Sequence, residues 1–376
     1  MPVHSFELEA GTVQIKTDAD RAKLLTFCRL AQRINPKRPF LFVSTILGRH
    51  MPVAPKFMQM AYASLAKNID LSNSKNILVC GMAETAVGLG AGVARELARV
   101  SSNVKYLSST RHPHNNVPIM AEFSEDHSHA TQHSLHYFNG QPGALNNIDT
   151  LVLVDDEATT GNTFKNLYQA LIKSELKQIK QVYLVMLTDW SGGAAEQKIA
   201  ELGVNCTSVS ILQGQWSFKA DPDFNAKPLP AERWPAKSKA PLLDYQSCRY
   251  GLNSVQLLAD EPAALPKLAH QFNAGDKVHV LGCGEYVWEP FLLAEQLEKA
   301  GIEVTFSATT RSPVELNDTM KYKQTFKDNY GLGIYMYAYN LPEKKHTCLI
   351  CSNTPADSWD QNWLQNTPRS IQVITP

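Results

Sequence analysis

Apolar residues along the chain gather into short, unbroken runs at 76–81 (NILVCG), 104–108, 151–154 (LVLV), 182–187 (VYLVML) and 209–212. Runs of this length, without polar alternation, predict strands buried on both faces, as in a parallel sheet. Residues 88–100 read as a helix after the first run, and residues 163–171 open another after the third. Strands alternating with helices predict an α/β fold whose parallel sheet is flanked by helices. The pattern stops at 221–241, where Pro222, Pro228, Pro230, Pro235 and Pro241 stand among lysines with no periodicity. That composition predicts an extended linker. Strand–helix logic resumes with 278–282 (VHVLG), a helix near 290–300, and strands at 304–307 and 348–351. The expected organisation is a domain over 1–220, a Pro/Lys-rich linker over 221–245 and a smaller α/β domain over 246–376.

The two halves repeat one another. In the first, a strand ends in Gly81-Met82-Ala83-Glu84 and a later one in Thr110-Arg111-His112-Pro113; in the second, the matching strings are Gly282-Cys283-Gly284-Glu285 and Thr310-Arg311-Ser312-Pro313. The Glu-to-Arg intervals are 27 residues (84 to 111) and 26 residues (285 to 311). From the arginine to the next strand end is 44 residues (111 to 155) and 41 residues (311 to 352). Three anchors in the same order point to a diverged internal duplication. In it, Asp155 and Asp156 correspond to about Ser352 and Asn353, so the second half has lost the acid pair.

That pair lies in the most informative stretch, residues 151–163 (LVLVDDEATTGNT). An apolar strand runs into two acids, then a small, hydroxyl-rich turn, then a helix. Asp155 and Asp156 stand at the carboxyl end of a parallel strand, where open α/β sheets bind ligands. Carboxylates there can accept hydrogen bonds from ribose hydroxyls and help hold a hydrated Mg²⁺. The turn Ala158-Thr159-Thr160-Gly161-Asn162-Thr163 offers backbone N–H groups and threonine hydroxyls at a helix N-terminus, a cradle for phosphate. Residues 81–88 (GMAETAVG), with Gly81, Gly88 and Gly90, read as a second loop that an anion approaches closely, and Glu84 is an odd neighbour for such an anion.

The 151–163 stretch resembles the signature of type I phosphoribosyltransferases that binds 5-phosphoribosyl-1-pyrophosphate (PRPP). With the second loop and with Thr310-Arg311-Ser312-Pro313, the chain resembles, over roughly residues 30–360, orotate-phosphoribosyltransferase-like proteins with a C-terminal TRSP domain. That family is associated with tellurium-resistance and stress-response gene clusters. The resemblance implies that Asp155 and Asp156 hold the ribose and Mg²⁺, that residues 158–163 hold the 5′-phosphate, and that Gly81, Met82, Ala83, Glu84 and Thr85 face pyrophosphate. It implies transfer of a phosphoribosyl group to a nitrogenous, base-like acceptor in a nucleoside-like pathway, and a homodimer as in many relatives. The segment after Arg111 would then be a closing catalytic loop, with Arg111 as its cation and His129 or His133 as acids or bases. His127, His129 and His133 also have a spacing open to a metal.

Other features alter the picture little. Arg33, Lys37, Arg38, Arg49 and His50 flank a Pro-bounded strand and suit either substrate contacts or a charged edge. Cys348 and Cys351 have a zinc-like spacing but lie in an apolar run, which favours structural thiols. Residues 281–284 (LGCG) fall short of a dinucleotide loop. With 36 basic and 36 acidic residues the formal charge is zero, which argues against nucleic acid as a partner. No apolar run approaches the ~20 residues of a membrane span. The N-terminus carries no secretory pattern, and seven scattered cysteines suit a reducing compartment, so a cytoplasmic protein is expected. The alternatives to an enzyme are a PRPP-sensing binding protein and a scaffold of a stress-response complex.

Overall fold

The computed structural model describes residues 1–35, 38–124, 132–225, 227, 239–243, 247–343, 345–367 and 369–376. Val3–Leu8 (β1) and Gly11–Thr17 (β2) open the chain, followed by the helix Arg21–Phe27 (α1) and a hairpin of Cys28–Gln32 (β3) and Phe40–Ser44 (β4). Helix Pro55–Ala66 (α2) leads into Ile77–Gly81 (β5), Ala86–Ala98 (α3) and Val104–Ser108 (β6). A second hairpin, Ile119–Ser124 (β7) and Gln132–His136 (β8), precedes Thr150–Ala158 (β9), Asn162–Lys173 (α4), Gln181–Asp189 (β10), Ala194–Ala200 (α5) and Asn205–Ala220 (β11). The second half holds Leu252–Asn253 (β12), Ser254–Leu257 (α6), Lys277–Gly282 (β13), Trp288–Lys299 (α7) and Glu303–Ala308 (β14). Its own hairpin, Lys323–Lys327 (β15) and Tyr335–Tyr339 (β16), is followed by Thr347–Cys351 (β17), Gln361–Asn366 (α8) and Ile371–Ile374 (β18).

An eight-stranded sheet runs in the order β1-β2-β11-β10-β9-β5-β6-β12, and a four-stranded sheet in the order β14-β13-β17-β18. The central strands β11 to β6 are parallel, as is the whole second sheet. The apolar runs mark these strands, but two extend beyond them. Strand β9 continues through the acid pair because β10 runs beside it, with Asp155 opposite Met186 and Ala158 opposite Asp189. Strand β11 reaches Ala220 because its second half pairs antiparallel with β2. Within the histidine-bearing stretch after Arg111, the described residues Ile119–Ser124 and Gln132–His136 pair as antiparallel strands. Glu125, Asp126, His127 and His129 lie outside the described residues, as does most of the linker.

The duplication is visible as structure. Strands β9-β5-β6 and β17-β13-β14 share order and direction. In one half the Ser109 amide donates to the Gly81 carbonyl at 2.9 Å, and in the other Thr309 donates to Gly282 at 2.9 Å. Thr110 bridges to Ser134 across one hairpin and Thr310 to Tyr337 across the other. Gly81 pairs with Val154 and Gly282 with Cys351. The register therefore sets Asp155 against Ser352 and Asp156 against Asn353.

The main apolar cluster runs through both halves. Tyr62 on α2 meets Phe291 on α7 edge to face at 5.5 Å, and Phe291 meets Phe306 at 5.9 Å. Each half also covers the other's open sheet edge. Val53 bridges to Phe306 of β14, while β12 pairs with β6. The small residues of α3 make the close packing feasible. A Cβ on Gly92 would lie 2.2–2.5 Å from three ring carbons of Tyr62. Gly92→Ala is expected to lower stability by about 1–3 kcal/mol, the usual cost of overpacking, measured by thermal unfolding. An unchanged midpoint would show that Tyr62 yields freely.

Candidate functional site

The carboxyl ends of β5 and β9 open into a cleft of about 510 Å³. Its floor is the acid pair. The Asp155 carboxylate accepts from the Asp156 amide at 2.9 Å, and Asp156 accepts from the Thr85 hydroxyl at 2.8 Å. Burial first, then the neighbouring Glu157 charge, pushes the Asp156 carboxyl above its ordinary range. Thr85 closes the loop after β5, so this bond ties the two strand ends together.

Behind the acids, Ala158, Thr159, Thr160, Gly161 and Thr163 line the same wall of the cleft. Gly161 adopts φ +75°, and a Cβ there would meet Ala195 at 2.4 Å from its Cα. Only glycine brings the chain round this corner against α5 into α4. Asn162 is turned away, its side chain accepting from the Lys198 ammonium at 2.5 Å, while Lys198 also donates to the Thr160 carbonyl at 2.6 Å. Asn162 thus lies outside the cleft wall and braces the loop from behind.

In the second loop, Met82, Ala83, Glu84 and Thr85 line the cleft and Gly81 does not. The Ala83 amide donates to the Ser109 hydroxyl at 2.9 Å, and the Ala83–Glu84 peptide is cis. A Cβ on Gly81 would sit 2.4 Å from the Tyr106 hydroxyl, and one on Gly90 2.9 Å from the same ring. Both glycines are required where strand and helix close on the Tyr106 ring. Gly88 likewise faces Val287 across the junction with the second half.

Glu84 has a clear place. Its carboxylate pairs with buried Arg49 at 3.2 Å, and its carbonyl accepts from the same guanidinium at 2.5 Å. Arg111 and Arg311 face its other oxygen at 3.9 and 3.8 Å. Arg49 also donates to the carbonyls of Gly284 at 2.7 Å and Thr309 at 2.6 Å. One carboxylate therefore gathers three arginines at the junction of the halves. The counterpart Glu285 accepts from the Thr110 hydroxyl at 2.5 Å, the Arg111 amide at 2.7 Å and Arg249 at 3.3 Å. Burial opposes its charge, but His112, Arg249 and these donors bring its pKa down to about 2. His133 is fully buried, with a ring nitrogen 3.1 Å from the Ser109 hydroxyl and the other 3.3 Å from Arg111.

The opposite wall holds Arg38, which the sequence left open to substrate contacts, and aromatic residues that no motif marked. The β3–β4 hairpin supplies Arg38, Leu41, Phe42 and Ser44. The second half supplies Arg311 and the aromatic pair Tyr335 and Tyr337. Arg38 pairs with Glu157 at 2.7 Å and lies over the Phe40 and Phe42 rings at 5.0 and 5.3 Å. Among the described residues no cluster of three or more His, Cys, Asp or Glu could hold a metal by itself. Two adjacent carboxylates in an open cleft suit a Mg²⁺ that is shared with substrate phosphates and water. Asp155 and Asp156 would hold it.

The same cleft is absent from the second half, among the described residues. Ser352, Asn353 and Thr354 are fully buried. Tyr330 fills the space, its hydroxyl donating to the Cys283 carbonyl and Asn353 at 3.1 Å each, and Asn329 donates to Thr354 at 2.7 Å. His112 stacks on Tyr330 at 4.2 Å.

Residues 27–215 match the family described as phosphoribosyl transferase, and residues 246–366 match the TRSP domain found C-terminal to it. A search of curated proteins finds no match. Similar solved structures include orotate phosphoribosyltransferase from Aeropyrum pernix, at 20% identity and TM-score 0.29, covering 46% of this chain and 79% of that one. Another is adenine phosphoribosyl transferase from Trypanosoma brucei in complex with AMP, pyrophosphate and ribose-5-phosphate, at 14% identity and TM-score 0.36, covering 56% and 87%. A third is the Giardia lamblia enzyme complexed with 9-deazaadenine, at 14% identity and TM-score 0.36, covering 50% and 96%. With the family model spanning 189 of 376 residues (27 to 215), the chain belongs to the phosphoribosyltransferase family, in the form that carries a C-terminal TRSP domain.

Proposed function

We propose that this phosphoribosyltransferase uses PRPP and Mg²⁺ to place a phosphoribosyl group on a ring nitrogen of a flat, base-like acceptor, releasing pyrophosphate. The observation that carries the reading is the convergence, in one cleft, of the Asp155–Asp156 pair, the Thr159–Gly161 corner at the start of α4, and the loop of residues 82–85. Each suits one part of PRPP: carboxylates the ribose hydroxyls, amides and hydroxyls the 5′-phosphate, and a loop backed by arginines the pyrophosphate. Mg²⁺, when bound, would neutralise charge on the leaving pyrophosphate.

The nitrogen lone pair forms the new bond at ribose C1 while the C1–O pair departs with pyrophosphate. Charge therefore grows on the oxygens nearest the arginine side of the cleft, where preorganised donors have most effect. Phe42 and Tyr335 in the cleft wall offer the acceptor aromatic surface, and Arg38 with Glu157 offers it a polar edge. All seven cysteines are free thiols, which supports a reducing, cytoplasmic setting.

The test is pyrophosphate release from PRPP and Mg²⁺ against a panel of purine, pyrimidine and related ring acceptors. Acceptor-dependent release is expected. Tight PRPP binding without release for any acceptor would turn the reading towards a sensor, and no PRPP binding at all would end it.

A further inference from the structure

The repeat relates the two halves as two copies of one unit, each covering the other's sheet edge, yet only one copy keeps a cleft. Arg111 and Arg311 occupy equivalent positions, after β6 and after β14. Both line the cleft of the first half and face the same oxygen of Glu84, at 3.9 and 3.8 Å, but they reach it from different halves. The Arg111 amide is engaged by Glu285 of the second half at 2.7 Å. Arg311 crosses the other way and lines the cleft of the first half, together with Thr310, Ser312 and Pro313. Its side chain is about four-fifths buried, faces Glu84 at 3.8 Å, and leaves Nη2 without a hydrogen-bond partner among the described residues. A buried guanidinium nitrogen with no partner is costly unless an anion completes it. Tyr335 and Tyr337 of the same half wall the cleft beside it.

We propose that the C-terminal half serves the N-terminal half as a second subunit would, and that Arg311 is its contribution: a cation delivered across the junction to the pyrophosphate of the donor. The inference rests on the PRPP reading above. It makes the chain complete for this chemistry without a second copy. It also leaves one donor site per chain, because Tyr330 occupies the counterpart.

Pyrophosphate with Mg²⁺ is the probe, titrated by calorimetry into the full-length wild type, Arg311→Ala and Arg311→Lys. Arg311→Ala is expected to weaken pyrophosphate roughly 10- to 100-fold, the range for a hydrogen bond to a charged group. Arg311→Lys should recover part of the loss. The thermal midpoint should stay near wild type, which a merely structural residue would not allow. The wild type should bind one pyrophosphate per chain, and a monomeric fraction should be as active per chain as any oligomer. Wild-type binding that Arg311→Ala leaves within twofold would overturn this inference while sparing the donor reading. Two pyrophosphates per chain would overturn the closed counterpart. A wild type that binds neither PRPP nor pyrophosphate would remove the donor reading, and this inference with it.

Discussion

Replacing Asp155 and Asp156 together with asparagine is expected to abolish acceptor-dependent pyrophosphate release while the protein stays folded. The substitution is nearly isosteric. The Thr85 hydroxyl that donates to Asp156 at 2.8 Å, and the Asp156 amide that donates to Asp155 at 2.9 Å, would each still find an amide oxygen. The loss is of charge, and with it the means to hold a cation between protein and pyrophosphate. Removing one preorganised electrostatic group commonly lowers kcat by on the order of 10²–10³-fold, and two adjacent ones act as a unit. Steady-state release at saturating PRPP and Mg²⁺ is the measurement, with circular dichroism to confirm the fold. Retention of more than a tenth of wild-type turnover would remove the acid pair from the chemistry.

The largest effect on stability is expected where the two halves are pinned. Arg95 on α3 and Glu295 on α7 form a two-bond pair, Nη1 to Oε2 at 2.7 Å and Nη2 to Oε1 at 2.6 Å, with side chains 4% and 1% exposed. Trp288 lies under the guanidinium at 5.0 Å, and Gln59 also donates to Glu295. Arg95→Ala leaves the buried Glu295 carboxylate without its cation and with only the Gln59 amide, which costs about 3–5 kcal/mol. The double replacement Arg95→Met with Glu295→Leu should be far milder, since neither charge is left alone. Urea unfolding of the two proteins checks both statements. A single mutant that loses less than about 1 kcal/mol would mean that water reaches the junction.

How much of this could be read from residues alone divides by kind. Unbroken apolar runs located the parallel strands because a strand buried on both faces has no polar positions to confuse it. The acids and threonines of 151–163 were legible because strand, turn and helix follow each other within one segment. The repeat, too, could be found from short strings at matched intervals. What those strings could not give was direction across the junction. Sequence places Arg111 and Arg311 in equivalent loops, but only packing reveals that Arg311 reaches the cleft of the other half. That Gly81 and Asn162, expected on the ligand side, do not line the cleft was hidden for a related reason. A glycine that admits an anion and one that admits the Tyr106 ring look alike in one dimension. The wall opposite the acid pair combines residues near 40 with residues near 335, a separation that no local pattern spans.

The filled counterpart site has a genetic consequence. When two identical polypeptides assemble, every substitution is made twice, so a tyrosine that fills one pocket fills both and ends activity. Joining the copies in one reading frame removes that restriction. Tyr330 could close one pocket, and the tip of the β15–β16 hairpin could be reshaped to wall the other, with no matching change required near 130. Selection could then act on the two copies for different tasks, one keeping the reaction and the other shaping what is admitted to it.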